Sequence, residues 1–265
     1  MSRFTGKVAL VTGSSRGYGR AIGRALAAEG AVVVLNSCRS AVDGRAAARE
    51  ITAAGGTAIH VTADVGDEGG VAALAAVVER SYGRLDILVH NAARGYERPV
   101  DATTWPEFEE AMRVNTYALI ALARHLRPLM AEGGRILYVS SLGADLALAG
   151  YGAIGAAKAA SEAVVRSLAL EWAPRIQANV IRPNIISTVS LRSFSWSDAL
   201  WAVFDEESPL GVPDMDQLVD AALWLCGPES RYVTGQVVSV DGGFSASLHR
   251  KGLTLPAAHA QNNHP

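Results

Sequence analysis

The sequence predicts an α/β protein built on a doubly wound parallel sheet. Three observations carry this expectation. Short apolar, β-branched runs alternate with longer Ala-rich stretches along almost the whole chain. Each short run is nearly continuously apolar rather than alternating, as a strand covered on both faces should be. The first run leads into a glycine-rich turn and then a helical pattern, which opens a βαβ unit.

In chain order, strands are expected at KVALVT (7–12), AVVVL (31–35), TAIHV (57–61), DILVH (86–90), RILYVS (135–140), QANVI (177–181) and QVVSV (236–240). Helical patterns lie between them, near 18–29, 41–54, 67–82, 104–130, 151–173 and 214–227. The 265 residues are 49% hydrophobic and 19% charged, which suits one domain with a well-buried sheet. Residues 1–248 are therefore read as a single Rossmann-type domain. Its rhythm breaks at 187–213, where Ser187, Ser190, Ser193, Ser195 and Ser197 lie among Phe194, Trp196, Trp201 and Phe204. An aromatic insert there could cover a substrate or form a packed surface helix pair. The tail, 249–265, is polar.

The formal charge of −2 excludes a general attraction to nucleic acid or anionic membrane. Cys38 and Cys226 are the only cysteines, and their spacing suits neither a metal site nor a disulfide framework. The first strand-like run begins at Lys7, leaving no room for a signal peptide, and no apolar run is long enough to span a bilayer. A cytoplasmic protein is expected.

After the first strand the chain reads Thr12-Gly13-Ser14-Ser15-Arg16-Gly17-Tyr18-Gly19 and enters an Ala-rich helix. The glycines permit a tight turn and close approach of backbone to a pyrophosphate. The helix N-terminus then offers unpaired N–H groups and the positive end of its dipole. Selectivity is read at the end of the second strand, Asn36-Ser37-Cys38-Arg39-Ser40, where no carboxylate is present to bond a ribose 2′-hydroxyl. Arg39 and Arg16 suit a 2′-phosphate instead, so NADP(H) is favoured over NAD. Asp64-Val65, after the third strand, is either an adenine contact or, through Asp64, a helix N-cap.

The Thr12–Gly19 turn, His90-Asn91-Ala92-Ala93, Asn115, Ser140-Ser141 and Val240-Asp241-Gly242-Gly243 together resemble the short-chain dehydrogenase/reductase family across about residues 5–247. The resemblance implies a seven-stranded parallel sheet in the order 3-2-1-4-5-6-7, a cofactor contact at Asn91 and, commonly, a homotetramer. Most members carry Tyr-x3-Lys on the helix after the fifth strand. Here the residue four before Lys158 is Ile154, and the nearest tyrosine is Tyr151, seven before it. Ser141 keeps its usual spacing, thirteen residues before Ile154.

Helix geometry gives this departure a chemical meaning. Positions i and i+7 share a face, so Tyr151 and Lys158 can act together, with the tyrosine root displaced by about 4–5 Å along the axis. Carbonyl reduction needs an acid beside the atom bonded to the hydride acceptor. Enoyl-thioester reduction puts hydride on the β-carbon and charge on the more distant thioester oxygen, which a displaced phenol suits better. The Tyr-x6-Lys spacing also resembles the enoyl-acyl-carrier-protein reductases of this superfamily, above all their NADPH-using subgroup and related enoyl-CoA reductases of secondary metabolism. That resemblance implies Tyr151 on the substrate carbonyl, Lys158 on the nicotinamide ribose, Ser141 near substrate, and Asn115 holding the lysine through water. By the same analogy the Ile186 backbone and Thr188 face the nicotinamide carboxamide, beyond an Arg182-Pro183-Asn184 turn where relatives often have Pro-Gly.

Other readings stay open from the residues alone. Tyr151 could be a packed aromatic at a helix start, Ser140-Ser141 could simply end a strand, and Asn115 could bond backbone. The protein could reduce ketones with Tyr151 or Tyr96 as acid, or bind nucleotide without catalysis. The expected substrate is a small acyl thioester, apolar or cyclic, on coenzyme A or an acyl carrier protein. Arg192 or Arg250 could mark a docking patch for an acidic carrier, or simply be solvated. No metal is expected.

Overall fold

A computed structural model of the chain describes residues 2–185, 188–189 and 191–246. Seven parallel strands form one sheet in the order β3-β2-β1-β4-β5-β6-β7. They are β1 (Val8–Val11), β2 (Val32–Ser37), β3 (Thr57–Thr62), β4 (Leu85–His90), β5 (Met130–Val139), β6 (Ile176–Pro183) and β7 (Val237–Val240). Their order reverses between β1 and β4, where β1 pairs with β2 on one side and β4 on the other. Such a switch point leaves a crevice at the carboxyl ends of the strands.

The continuous apolar runs are explained by burial on both faces. Val8 and Leu10 of β1 enter one core, with α3 (Glu68–Tyr82), α5 (Ala118–Leu126) and α6 (Gly152–Trp172). Ala9 and Val11 enter the other, with α1 (Gly17–Ala28), α2 (Ala41–Ala53) and α8 (Met215–Cys226). Alternation still operates along the strand, but both faces are dry, so every position is apolar. β3 is the edge strand, and its residues are only partly covered.

The helix expected at 104–130 is instead a series of pieces. α4 (Trp105–Met112) passes through a π-type turn at Arg113–Tyr117 into α5, and a 3-10 turn at Arg127–Leu129 leads directly into β5. Pro128 explains that end, because its ring and missing N–H cannot continue the helix. β5 starts five residues earlier than its apolar run, at a register shift opposite Leu85 and Ile87. Asp67, rather than Asp64, caps α3, accepting from the Gly70 N–H at 2.8 Å. Asp64 turns back to accept from Gly66 N–H at 2.9 Å. The described part of the 187–213 insert holds a 3-10 turn at Leu191–Ser193 and one helix, α7 (Ser197–Glu207). Phe204 of α7 is buried against Phe244, with ring centroids 4.1 Å apart, and joins Leu142 and Ile185 in a small cluster. Ile186 and the tail beyond Ala246, including Arg250, lie outside the described residues. Among those described, no helix is long and apolar enough to cross a membrane.

Candidate active site

A cleft of about 1050 Å³ runs along the carboxyl edge of the sheet. It is lined on one side by the turns after β1, β2 and β3 and on the other by the segments after β5 and β6 and by the insert. Gly13, Ser15, Arg16, Gly17, Tyr18, Arg39, Asp64, Val65, Asn91, Ser141, Tyr151, Lys158 and Thr188 all line it, so one surface gathers residues from six strand ends. Gly19 lies just behind that wall, against the Asn91 side chain.

The first side is built mainly from backbone. Gly13 has φ +62°, and a Cβ there would lie 2.7 Å from the Ala92 Cα. Only glycine fits both constraints. The Asn91 amide holds the turn by donating to the carbonyls of Thr12 (3.1 Å) and Gly13 (2.9 Å). Thr12 Oγ1 accepts the N–H groups of Asn91 and Ala92, both at 3.1 Å. Its own proton is left for His90 Nδ1 at 2.9 Å. His90 is therefore neutral, with hydrogen on Nε2. Burial, reinforced by the Lys158 charge, holds its pKa down at about 3.

At the start of α1, Arg16 is extended (φ −156°), makes no side-chain cap, and is followed by no acidic residue in the first turn. Nothing there competes with an anion for the helix N–H groups. The Tyr18 side chain is buried, and its hydroxyl donates to the Leu218 carbonyl at 2.6 Å, tying α1 to α8. Burial pushes that phenol well above its ordinary pKa. Asn36 likewise turns to the sheet, donating to the carbonyls of Val61 (3.2 Å) and Ala63 (3.0 Å). Asn36, Ser37, Cys38, Arg39 and Ser40 all line the cleft. Burial and the Asp64 carboxylate raise the Cys38 thiol pKa, and Arg39 opposes them, so all three groups share one corner. The positive-φ glycine, the uncapped helix start and two guanidiniums fit a dinucleotide phosphate group.

The second side is built from side chains. Lys158 of α6 is 4% exposed, donates to the Val139 carbonyl at 2.8 Å and stands 4.9 Å over the Tyr138 ring. Burial lowers its pKa to about 7, against the pull of Glu162. The two serines separate. Ser140 is buried and donates to Glu162 at 2.6 Å. Ser141 accepts from the Gly143 N–H at 3.0 Å, capping a 3-10 turn at Leu142–Ala144. Tyr151 is the N-cap residue of α6. Its ring lies against Gly143 and meets Phe194 and Trp196 at centroid distances of 5.9 and 6.2 Å. Burial raises the phenol pKa and the Ser141 hydroxyl opposes the rise. Ile154 is buried against Gly95, so an alkyl side chain fills the position four before the lysine.

Asn115 is fully buried in the π-type turn. Its amide donates to the carbonyls of Arg94 (2.6 Å) and Ala111 (2.8 Å), while its Oδ1 has no partner. Both amide protons thus serve backbone. Tyr96 is not among the residues lining the cleft, and its hydroxyl donates to Glu110 at 2.5 Å. Arg192 lines a second pocket with Asp198 and Trp201, next to the cleft at Leu191.

Glu162, and its pairing with Arg182, are absent from the sequence expectations. Arg182 donates to both Glu162 oxygens, from Nε at 2.7 Å and Nη2 at 2.5 Å, and its Nη1 reaches Asp145 at 3.1 Å. This bidentate pair keeps a buried carboxylate satisfied one turn from Lys158. The four-residue spacing of Lys158 and Glu162 is visible in sequence, but nothing local brings Arg182 of β6 to them.

A family profile described as Enoyl-(Acyl carrier protein) reductase, adh_short_C2, matches residues 13–245. The 1-cyclohexenylcarbonyl-CoA reductase of Streptomyces collinus is 33% identical over 243 residues, covering 90% of this chain and 87% of that protein. Gluconate 5-dehydrogenase of Gluconobacter oxydans is 32% identical over 250 residues, covering 92% and 96%. Among solved structures, a blue fluorescent protein from a metagenomic library, in complex with NADPH, is 33% identical and superposes with a TM-score of 0.85 over 92% of this chain and 99% of that one.

Proposed function

The chain belongs to the short-chain dehydrogenase/reductase superfamily of NAD(P)-dependent oxidoreductases, and from that premise we propose that it uses NADPH to reduce the carbon–carbon double bond of an α,β-unsaturated acyl thioester. The observation that carries this reading is the exchange of roles on α6. Ile154, four before Lys158, has no proton to give, whereas Tyr151, seven before it, lines the cleft beside Ser141.

Arg16 and Arg39 would hold the 2′-phosphate, and the first turn of α1 would hold the pyrophosphate. Asp64 and Val65 would contact the adenine. Lys158 would bond the nicotinamide ribose, and by analogy Ile186 and Thr188 would serve the carboxamide. When bound, the cofactor supplies a hydride to the substrate β-carbon. Negative charge then develops on the thioester oxygen, where Tyr151 donates a hydrogen bond and lowers the barrier. A proton from solvent at the α-carbon completes the saturated product. Ser141 helps orient the carbonyl, and Asn115 helps hold Lys158 through water. The relatedness to 1-cyclohexenylcarbonyl-CoA reductase supports this reading, as does the apolar wall of Leu142, Leu146, Leu148, Phe194 and Leu200. Residues 1–248 then form one catalytic domain, with the 187–213 insert covering the acyl group. Coenzyme A or an acyl carrier protein is the carrier, and a cytoplasmic homotetramer is the assembly.

Ketone reduction with Tyr151 as the acid is a second reading, favoured by the nearness of Ser141 and by relatives such as gluconate 5-dehydrogenase. The discriminating experiment follows NADPH oxidation at 340 nm with crotonyl-CoA, a cyclic enoyl-CoA and a matched ketone panel. Turnover of enoyl thioesters alone is expected. Turnover of ketones alone overturns the proposal, and NADPH binding without turnover on either panel returns the chain to a nucleotide-binding role.

A further inference from the structure

Three separate segments converge on Tyr151. The segment after β4 brings Glu97, the one before α6 brings Gly150, and the insert brings Phe194, Ser195 and Trp196. The Ser195 N–H donates to Glu97 Oε2 at 2.7 Å, and its hydroxyl donates to Glu97 Oε1. The neighbouring Arg98 N–H donates to the Gly150 carbonyl at 2.9 Å. Gly150 has φ +75°, and a Cβ on it would lie 3.1 Å from Glu97 Cγ and 3.8 Å from Trp196 Nε1. A glycine is thus what lets these segments close up.

Ser195 sits between the two residues that brace Tyr151. The Phe194 and Trp196 rings stack at 4.6 Å and 24°, and both meet the Tyr151 ring, Trp196 edge-on at 75°. The Trp196 indole N–H is buried without an acceptor. The tryptophan therefore gains no anchorage from its own polar atom. Ser195, through Glu97, ties this stretch of the insert to the segment after β4.

We propose that Glu97 is a positioning residue: by clasping Ser195 it holds the Phe194–Trp196 stack against Tyr151 and fixes the phenol where it meets the substrate carbonyl. This inference rests on the role proposed for Tyr151. It differs from a mere surface staple, because its effect must travel through one phenol. A catalytic group misplaced by about 1 Å loses about 10²-fold in rate, and loosening one brace should cost a fraction of that.

A double-mutant cycle tests it, with crotonyl-CoA and NADPH as substrates. Glu97→Ala should lower kcat about tenfold, leave NADPH affinity unchanged, and speed amide exchange at residues 191–196. Glu97→Gln, which keeps a carbonyl oxygen for the Ser195 N–H, should recover most of the turnover. In a Tyr151→Phe background, Glu97→Ala should cost nothing further. Full additivity of the two losses, unchanged amide exchange, or normal turnover in Glu97→Ala while Tyr151→Phe is impaired overturns the clasp alone. Normal turnover in Tyr151→Phe overturns the role of the phenol, and the positioning role with it.

Discussion

The nucleotide side of the cleft and its reaction side are held in different ways. On the nucleotide side, Gly13 adopts a conformation other residues avoid, and Asn91 and Thr12 lock the turn to the end of β4. On the reaction side, Lys158 hangs from the Val139 carbonyl, Ser140 from Glu162, and Tyr151 rests among aromatic rings. A site shaped by backbone tolerates no added atom in the turn. A site shaped by side chains answers residue by residue. Cofactor binding and turnover should therefore be separable by mutation.

The severest test of that contrast is Gly13→Ala. The strained φ and the approach to Ala92 together should cost about 3 kcal/mol or more. NADPH binding, followed by fluorescence titration, should fall by about two orders of magnitude, matching that cost. Near-normal affinity would mean the turn adapts and is not the rigid element described here. On the reaction side, Tyr151→Phe should lower turnover by about 10² or more and leave NADPH affinity intact, as loss of one donor to a developing oxyanion does. A comparable loss in cofactor affinity would erase the separation of the two sides.

Arg39→Ala sharpens the nucleotide side. Weakening of NADPH by about 1–3 kcal/mol, with little change for NADH, is expected for loss of a charge-assisted bond to the 2′-phosphate. Equal weakening of both cofactors would remove Arg39 from that role. The mildest effect is that of pH. Burial places the Lys158 pKa at about 7. The ammonium form is present below that value and is lost as pH rises through it. If the charged lysine is the active form, kcat/KM for the free enzyme should fall about fivefold between pH 7 and 8. A flat profile over that range would show that the charge on Lys158 does not limit turnover.

The fold was largely legible in the residues. Runs such as VALV and DILVH are apolar at every position because helices cover both faces, and the structure buries them that way. The helix expected at 104–130 was misread where Pro128 and the π-type turn around Asn115 interrupt an otherwise helical pattern. Apolar periodicity carries no signal of the turn that buries Asn115, because the packing of α6 against it selects that geometry. In the site, the glycine turn and the Tyr151–Lys158 spacing were readable as local patterns. Tyr18 was not: its place in the glycine turn suggests the cofactor, yet its hydroxyl bonds Leu218, two hundred residues away.

Local chemistry sufficed wherever neighbours in sequence are neighbours in space. The parallel strands, the glycine turn, the absence of a carboxylate after β2 and the displaced tyrosine all belong to that class, because strand and helix periods translate spacing directly into geometry. Pairings across the fold belonged to tertiary structure. Only the folded sheet brings Arg182 of β6 to Glu162 of α6 and frees Ser141 by occupying Ser140. Only the meeting of three loops sets Glu97 on Ser195 and the aromatic stack on Tyr151. Those contacts span tens of residues, and their partners are chosen by which segments the sheet order makes adjacent, a property that no local window of sequence contains.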